Sequence, residues 1–361
     1  MTGHAVTSPQ PEADAGTSVW PAEGLERVPA CPACGDARRS LAYPDLTDNV
    51  AFCAPGAWAM HRCLGCGSCY LDPRPDPATI HLAYARYFTH AAPRGAARRE
   101  PPGGLATLRR SLANGYRNWR FGTQARPATV LGIGLALLIP RLRRTADWRM
   151  RFIPRAAAGR RLLDVGAGNG DYLLQARSAG WDVVGVEPDT DAVASARRAG
   201  LDVRQGGIEA LSGESDSVDV ITMNHVIEHV HDPRRVLGAA YQLLRSGGLL
   251  FLETPNVDSA GHRRFGRHWR GLEPPRHLVL FNWDSLERVL EAVGFGEIRR
   301  IPRAGVYPTL AVKSRAIRRG ADPENIGRAP RLQRVGDTLR ELGTISNHRR
   351  REFITLLAVK R

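Results

Sequence analysis

The stretch "LLDVGAGNGDYL" (Leu162–Leu173) sets a short apolar run, three alternating glycines and the start of a helix-periodic segment within twelve residues. A strand that turns through glycines into a helix bends sharply, lets a ligand approach its main chain, and aims free N–H groups at it. A lone G-x-G-x-G is shared by many nucleotide-binding folds, so its surroundings decide its meaning. Asp164 lies inside the strand end, two residues before Gly166. The next apolar run, "WDVVGVEP", ends on Glu187, where a carboxylate can accept hydrogen bonds from two ribose hydroxyls.

Outward from this stretch, strands alternate with helices. "DYLLQARSAG" and "DTDAVASARRAG" read as helices ending at Gly180 and Gly200. "DVRQG" is a weak third strand, "SVDVITMN" a fourth and "LLFLETPN" a fifth. "DPRRVLGAAYQLLRSGG" is expected to be a helix capped by Asp232, with Pro233 in its first position. "SLERVLEAVGF" and "GEIRRIPR" follow as helix and strand, and "EFITLLAVKR" closes the sheet. This spacing predicts an α/β fold with a mostly parallel sheet covered on both faces.

Together "LLDVGAGNGDYL", "VVGVEPD", "SVDVITMNHVIEHVHDP" and "LLRSGGLLFLETPN", over about residues 160–256, resemble the class I S-adenosylmethionine-dependent methyltransferases. A Rossmann dehydrogenase would place its third glycine one residue later. The resemblance implies a Rossmann-like, doubly wound, seven-stranded sheet. It also implies a cofactor pocket in which Asp164, Gly166, Ala167, Gly168 and Gly170 shape the methionine end. Glu187 would hold the ribose, with Pro188 beside the adenine, Ile208 packed on it and Asn224 at the fourth strand's end. Many members carry Asp just before that apolar residue to take the adenine amino group. Here Gly207 stands there, so Glu209 or a backbone group is expected to serve.

Cys31-x-x-Cys34-Gly and Cys63-x-x-Cys66-Gly form two knuckles, and four thiolates suit tetrahedral Zn²⁺. Without a secretory signal a cytoplasmic location is expected, where disulfides are disfavoured. Cys53 and Cys69 read as bystanders. A zinc-knuckle module before such a core resembles bacterial small-molecule and sugar methyltransferases, including deoxysugar C-methyltransferases. Those sugar enzymes carry a further large C-terminal domain, for which 361 residues leave no room, so that resemblance is partial. The expected organisation is a disordered tail (1–28), a zinc module (29–77), a basic helical linker or acceptor lid (78–157) and the methyltransferase domain (158–361).

The net charge of +15 is concentrated in two segments. Residues 91–161 hold 16 Arg against Glu100 and Asp147. Residues 299–361 hold 16 basic side chains against five acids. Solvated helix faces and acidic partners are both compatible with such runs. "TVLGIGLALLI" (129–139) is too short to span a bilayer and is expected to pack on the core as a helical insertion. The other reading has this Arg-rimmed segment lying on an anionic membrane at the inner face, toward a glycan or lipid-linked acceptor. A nucleic-acid methyltransferase using the zinc module and basic segments is the alternative function, although no RNA-binding module is evident.

"HVIEHVH" (225–231) matches the H-x-x-E-H spacing of one zinc peptidase class. It leaves the end of the fourth strand, where ligands of a parallel sheet bind, and is instead expected to rim the acceptor pocket. Methyl transfer needs an aligned nucleophile and removal of its proton. His229 or His277 is the expected base, with His225 and Glu228 positioning nearby groups. Trp269 in "HWRGLEPPRHLVLF" is a further acceptor candidate, whereas Tyr84 and Tyr87 are expected to pack in the core.

Overall fold

The computed structural model describes residues 19–85, 103–303, 305–327, 329–344 and 347–361. Residues 1–18 of the expected tail (1–28) and the Tyr87–Phe88 pair lie outside them, whereas the rest of that tail is structured: Trp20 and Val28 are buried, and Leu25–Glu26 pairs with Arg74–Pro75. The N-terminal part holds five short strands, β1 (Leu25–Glu26), β2 (Arg39–Leu46), β3 (Trp58–Cys63), β4 (Cys69–Leu71) and β5 (Arg74–Pro75). Three helices follow, α1 (Gly104–Phe121), α2 (Leu131–Leu138) and α3 (Pro140–Arg149).

From Arg161 the chain alternates as its apolar pattern predicts. In order come β6 (Arg161–Val165), α4 (Asp171–Ser178), β7 (Asp182–Glu187), α5 (Thr190–Arg198), β8 (Asp202–Gln205) and β9 (Val218–Asn224). Then come α6 (Pro233–Leu243), β10 (Leu244–Pro255), α7 (Ala260–Phe265), β11 (Val279–Leu280), α8 (Trp283–Val293) and β12 (Phe295–Arg300). The chain closes with α9 (Tyr307–Arg318), α10 (Arg331–Leu342) and β13 (Phe353–Lys360). Helix starts are fixed locally. Asp189 accepts from the Ala192 amide at 2.7 Å, Asp232 from Arg235 at 3.0 Å, and Asn282 forms a capping box with Ser285.

The fold is α/β, and a seven-stranded sheet runs in the order β12-β13-β10-β9-β6-β7-β8. β8, β7, β6, β9 and β10 are parallel, whereas β13 lies antiparallel between β10 and β12. Strand order reverses at β6, so the crevice at the carboxyl ends of β6 and β9 is the place where such sheets bind ligands. Leu162, Leu163, Ile221, Leu250 and Leu356 are fully buried in its layers.

One boundary differs from the pattern. The helix expected to run through "LLRSGG" stops at Leu243, and Leu244 turns into extended backbone to pair with Val218. Burying Leu244, which is 0% exposed, outweighs one more helical turn. The N-terminal module is also joined to the core. β11 from the later chain extends the sheet β2-β3-β4, so the four strands run β11-β4-β3-β2.

Candidate active site

The glycine loop follows β6 and carries three residues of positive φ, Gly166 (70°), Gly168 (53°) and Gly170 (86°). A Cβ on Gly166 would meet Val226 at 2.6 Å, and one on Gly170 would meet Leu201 at 2.3 Å. At Gly168 a Cβ would meet nothing within 4 Å, which leaves open space above the loop. Ala167 is buried beneath it. The contact between Gly166 and Val226 brings the loop against the "HVIEHVH" stretch.

Glu187, at the end of β7, lies beside this loop and accepts from the Gly168 amide at 2.8 Å and the Asp189 amide at 3.0 Å. Burial raises its carboxyl above the usual range, and the two amide bonds act against that. Pro188 continues into the cap of α5. Ile208 is buried, and Glu209 turns its carboxylate back onto the Gly207 amide at 2.8 Å.

The floor of the crevice holds residues the sequence did not reveal. Arg151, at φ 49°, pairs with Asp164, donates to Thr222 at 2.8 Å and lies 3.6 Å above the Tyr172 ring. Asp164 Oδ2 and Asn224 Oδ1 are buried without a hydrogen-bond partner among the described residues. Two waiting acceptors beside a guanidinium fit the ammonium and carboxylate of an amino-acid end. The loop, Glu187 and this floor therefore fit the cofactor that the sequence implies.

On the opposite lip, the three histidines of "HVIEHVH" have separate fates. His225 has φ 56°; its Nδ1 lies 3.0 Å from Glu228 Oε1 and its Nε2 3.8 Å from Glu253 Oε1. Burial opposes its charge, yet the hydrogen bond and fields of the two carboxylates prevail and raise the imidazole above its ordinary range. Glu228 is fully buried, which works against its ionisation, but His225 holds it down to about 2. His231 reaches the Pro75 carbonyl at 2.9 Å.

His229 Nδ1 lies 3.0 Å from the Arg276 carbonyl and 2.9 Å from the Tyr84 hydroxyl. A carbonyl only accepts, so the proton sits on Nδ1 and the lone pair on Nε2. His277 is fixed in the same tautomer by the Gly271 carbonyl at 2.8 Å, and burial lowers its pKa to about 4. The two rings are 4.8 Å apart. Donor atoms of Glu228, His229 and His277 lie within 4.8 Å of one another, close enough to share a cation. His225 is not in this group, and the stretch is a turn instead of a helix, so the peptidase arrangement is not formed.

Tyr84, expected in the core, packs half-buried against it and also reaches His229 with its hydroxyl at 2.9 Å. Trp269, expected at the acceptor, is 1% exposed and donates to Glu352 at 3.0 Å. Glu253 was overlooked: fully buried, it accepts from Trp148 at 3.2 Å and Thr355 at 2.7 Å and pairs with Arg303 at 3.4 Å.

In the knuckles, Gly35 and Gly67 close the turns with amide bonds of 2.8 and 3.0 Å to the Cys31 and Cys63 carbonyls. Cys31 and Cys66 sulfurs are 3.7 Å apart, and those of Cys34 and Cys63 3.5 Å. Both separations exceed a disulfide and approach the edge, about 3.8 Å, of a tetrahedron with Zn–S bonds of about 2.3 Å. Cys53 and Cys69 stand outside this group.

A family profile described as a methyltransferase domain matches residues 139–298. Residues 139–298 form a class I S-adenosylmethionine-dependent methyltransferase domain. The ubiquinone biosynthesis O-methyltransferase of Methylococcus capsulatus is 37% identical over 117 residues, covering 30% of this chain and 49% of that protein. Its namesake from Hahella chejuensis shows the same identity and coverage. The chain thus spans about half the length of these relatives. Phosphoethanolamine N-methyltransferase 2 of Haemonchus contortus, solved with S-adenosyl-L-methionine, is 18% identical with a TM-score of 0.43, over 81% of this chain and 62% of that one. The methyltransferase domain places its glycine loop and its histidine lip on facing sides of one crevice.

Proposed function

We propose that this chain transfers a methyl group from S-adenosylmethionine to a hydroxyl of a small-molecule acceptor, with His229 as the general base. The observation that carries this reading is the His229 tautomer: the Arg276 carbonyl keeps the proton on Nδ1 and leaves Nε2 as the lone pair. The name shared by the two relatives supports oxygen as the methylated atom. Bound S-adenosylmethionine supplies an electrophilic methyl group for in-line displacement. Glu187, Gly168, Asp164 and Arg151 would hold it, and His229 takes the hydroxyl proton as the new bond forms. His225 lies between two carboxylates that favour its protonated form, and it holds Glu228 in place. Cys31, Cys34, Cys63 and Cys66 would hold a structural Zn²⁺, and four thiolates would leave it no open position for chemistry.

The first test is thermal melting with and without millimolar S-adenosylmethionine. Mass action predicts an upward shift, and none at that concentration would sink the reading. The second is transfer of labelled methyl to a panel of hydroxylated acceptors. His229→Ala should lower kcat about a hundredfold or more while the cofactor-induced shift persists.

A further inference from the structure

α2 is built inside out for a helix on a water-soluble core. Its small residues make the close contacts. A Cβ on Gly132 would meet the Leu112 carbonyl of α1 at 1.9 Å, Ala136 is 5% exposed, and a Cβ on Gly115 of α1 would meet the Thr129 carbonyl at 1.8 Å. Its large residues face outward: Leu131 is 72% exposed and Leu138 81%, and Val130, Leu137, Ile139 and Leu142 continue the surface. A helix packing in water turns its large side chains inward. Small residues at i and i+4 inside with leucines outside is the arrangement used where the surroundings are apolar.

α10 repeats the exposure. Leu332, Val335, Leu339 and Leu342 recur at spacings of three, four and three and form one exposed stripe, Leu332 at 88%. Its other face is anchored through buried Asp337, which pairs with Arg315 and Arg264. Arg303 lies between α3 and α10. Arg303 and Arg351 line a small cavity together with Glu341 of α10, and the Arg303 guanidinium lies 3.5 Å over Trp148 of α3. From Pro140 to Trp148, whose indole bonds Glu253 in the site, α3 rises only about 12 Å.

Charge selects the occupant. Residues 104–149 carry nine Arg against the single acid Asp147, and Asp147 accepts from Tyr116 at 2.9 Å. Arg141, Arg143 and Arg144 flank exposed Leu142. A second copy would set these cations against one another, whereas anionic headgroups neutralise them as the leucines enter the acyl region.

We propose that α2, the start of α3 and α10 form a docking surface for an anionic lipid bilayer, from which an amphipathic acceptor reaches the site. The docking stands by itself; the acceptor's route rests on the methyltransferase reading.

The test is flotation of the full chain with vesicles of phosphatidylcholine alone or with about 30% phosphatidylglycerol. Binding is expected to be at least about tenfold stronger to the anionic vesicles and to weaken with salt. Leu138→Glu/Ile139→Glu and Arg141→Ala/Arg143→Ala/Arg144→Ala should each weaken it about tenfold or more. Both sets are exposed, so the cofactor-induced melting shift should be unchanged and reports folding. Absence of wild-type binding, or wild-type binding by the leucine variant, overturns the proposal. So does a concentration-dependent dimer that Leu138→Glu abolishes while vesicles are ignored, or retention of RNA in place of lipid. A missing cofactor shift in the wild type would overturn the methyltransferase reading and leave the vesicle result intact.

Discussion

His225 occupies left-handed backbone at φ 56°, a conformation that costs a residue with a Cβ on the order of 1–3 kcal/mol. What holds it there is its amide bond to the Glu253 carbonyl at 2.8 Å and its ring between Glu228 and Glu253. Removing the ring would take the close ion-pair partner from buried Glu228, whereas Glu253 keeps Arg303, so His225→Ala should destabilise the fold by about 3–5 kcal/mol. His229→Ala breaks no buried ion pair and should leave the melting temperature nearly unchanged while turnover collapses. The pH dependence follows from the same pair. The His225 pKa is raised, so its contribution is full below about 6.5 and fades as pH rises through the folded value. Glu228 is depressed to about 2, so its contribution is full above about 4.5 and fades as pH falls toward 2. Melting curves should therefore place the pair's largest contribution between about pH 4.5 and 6.5, and His225→Ala should remove that maximum. Equal melting temperatures for His225→Ala and wild type across this window would refute the assignment.

At the level of elements, the entry to β13 carries the next consequence. Glu352 is 4% exposed and accepts from Trp269 at 3.0 Å and the Gly261 amide at 2.7 Å, and burial pushes its carboxyl up to about 7. A raised carboxyl pKa favours the protonated form in the fold, so stability is full below about 4.5 and is lost as pH rises through 7. Glu352→Gln should flatten the melting temperature between pH 5 and 8; an unchanged slope would exclude Glu352 as its source. The sheet itself was legible in the sequence, because each parallel strand is a short apolar run ended by glycine or a carboxylate. The end of α6 was not, since the choice between another turn and pairing with Val218 depends on a strand 26 residues earlier. The orientation of α2 was equally hidden: apolar all round, it gives no stripe, and the two small residues decide which side faces α1. Asp164, Glu187 and the loop glycines came together as expected because one strand-turn-helix unit and its neighbour carry them. Arg151, Trp148 and Glu253 escaped because their partners lie 13 to 105 residues away, with no period connecting them.

Across the whole molecule, the cysteine module reaches the histidine lip through one buried seam. Arg276 is 0% exposed; its guanidinium meets Asp48 at 2.5 Å, Glu273 at 3.1 Å and the Ala83 carbonyl at 2.9 Å. The same residue's carbonyl fixes the His229 tautomer. One strand away, the Leu71 amide bonds the Leu278 carbonyl, and the Leu278 amide bonds the Glu228 carbonyl. Cysteine knuckles, β4, β11 and the histidine lip thus form one chain of contacts, whereas Gly168 and Glu187 lie across the sheet from it. Loosening the module should impair chemistry before it impairs cofactor binding. Asp48→Ala removes one of the two buried carboxylates that pair with Arg276 and should cost about 3–5 kcal/mol, with Asp48→Asn milder because it keeps hydrogen bonding to Arg276. At a temperature where Asp48→Asn remains folded, kcat should fall while affinity for S-adenosylmethionine stays within about twofold, and Cys63→Ser should move both readouts the same way. Equal losses of turnover and cofactor affinity would show that the module merely supports overall stability and does not position His229.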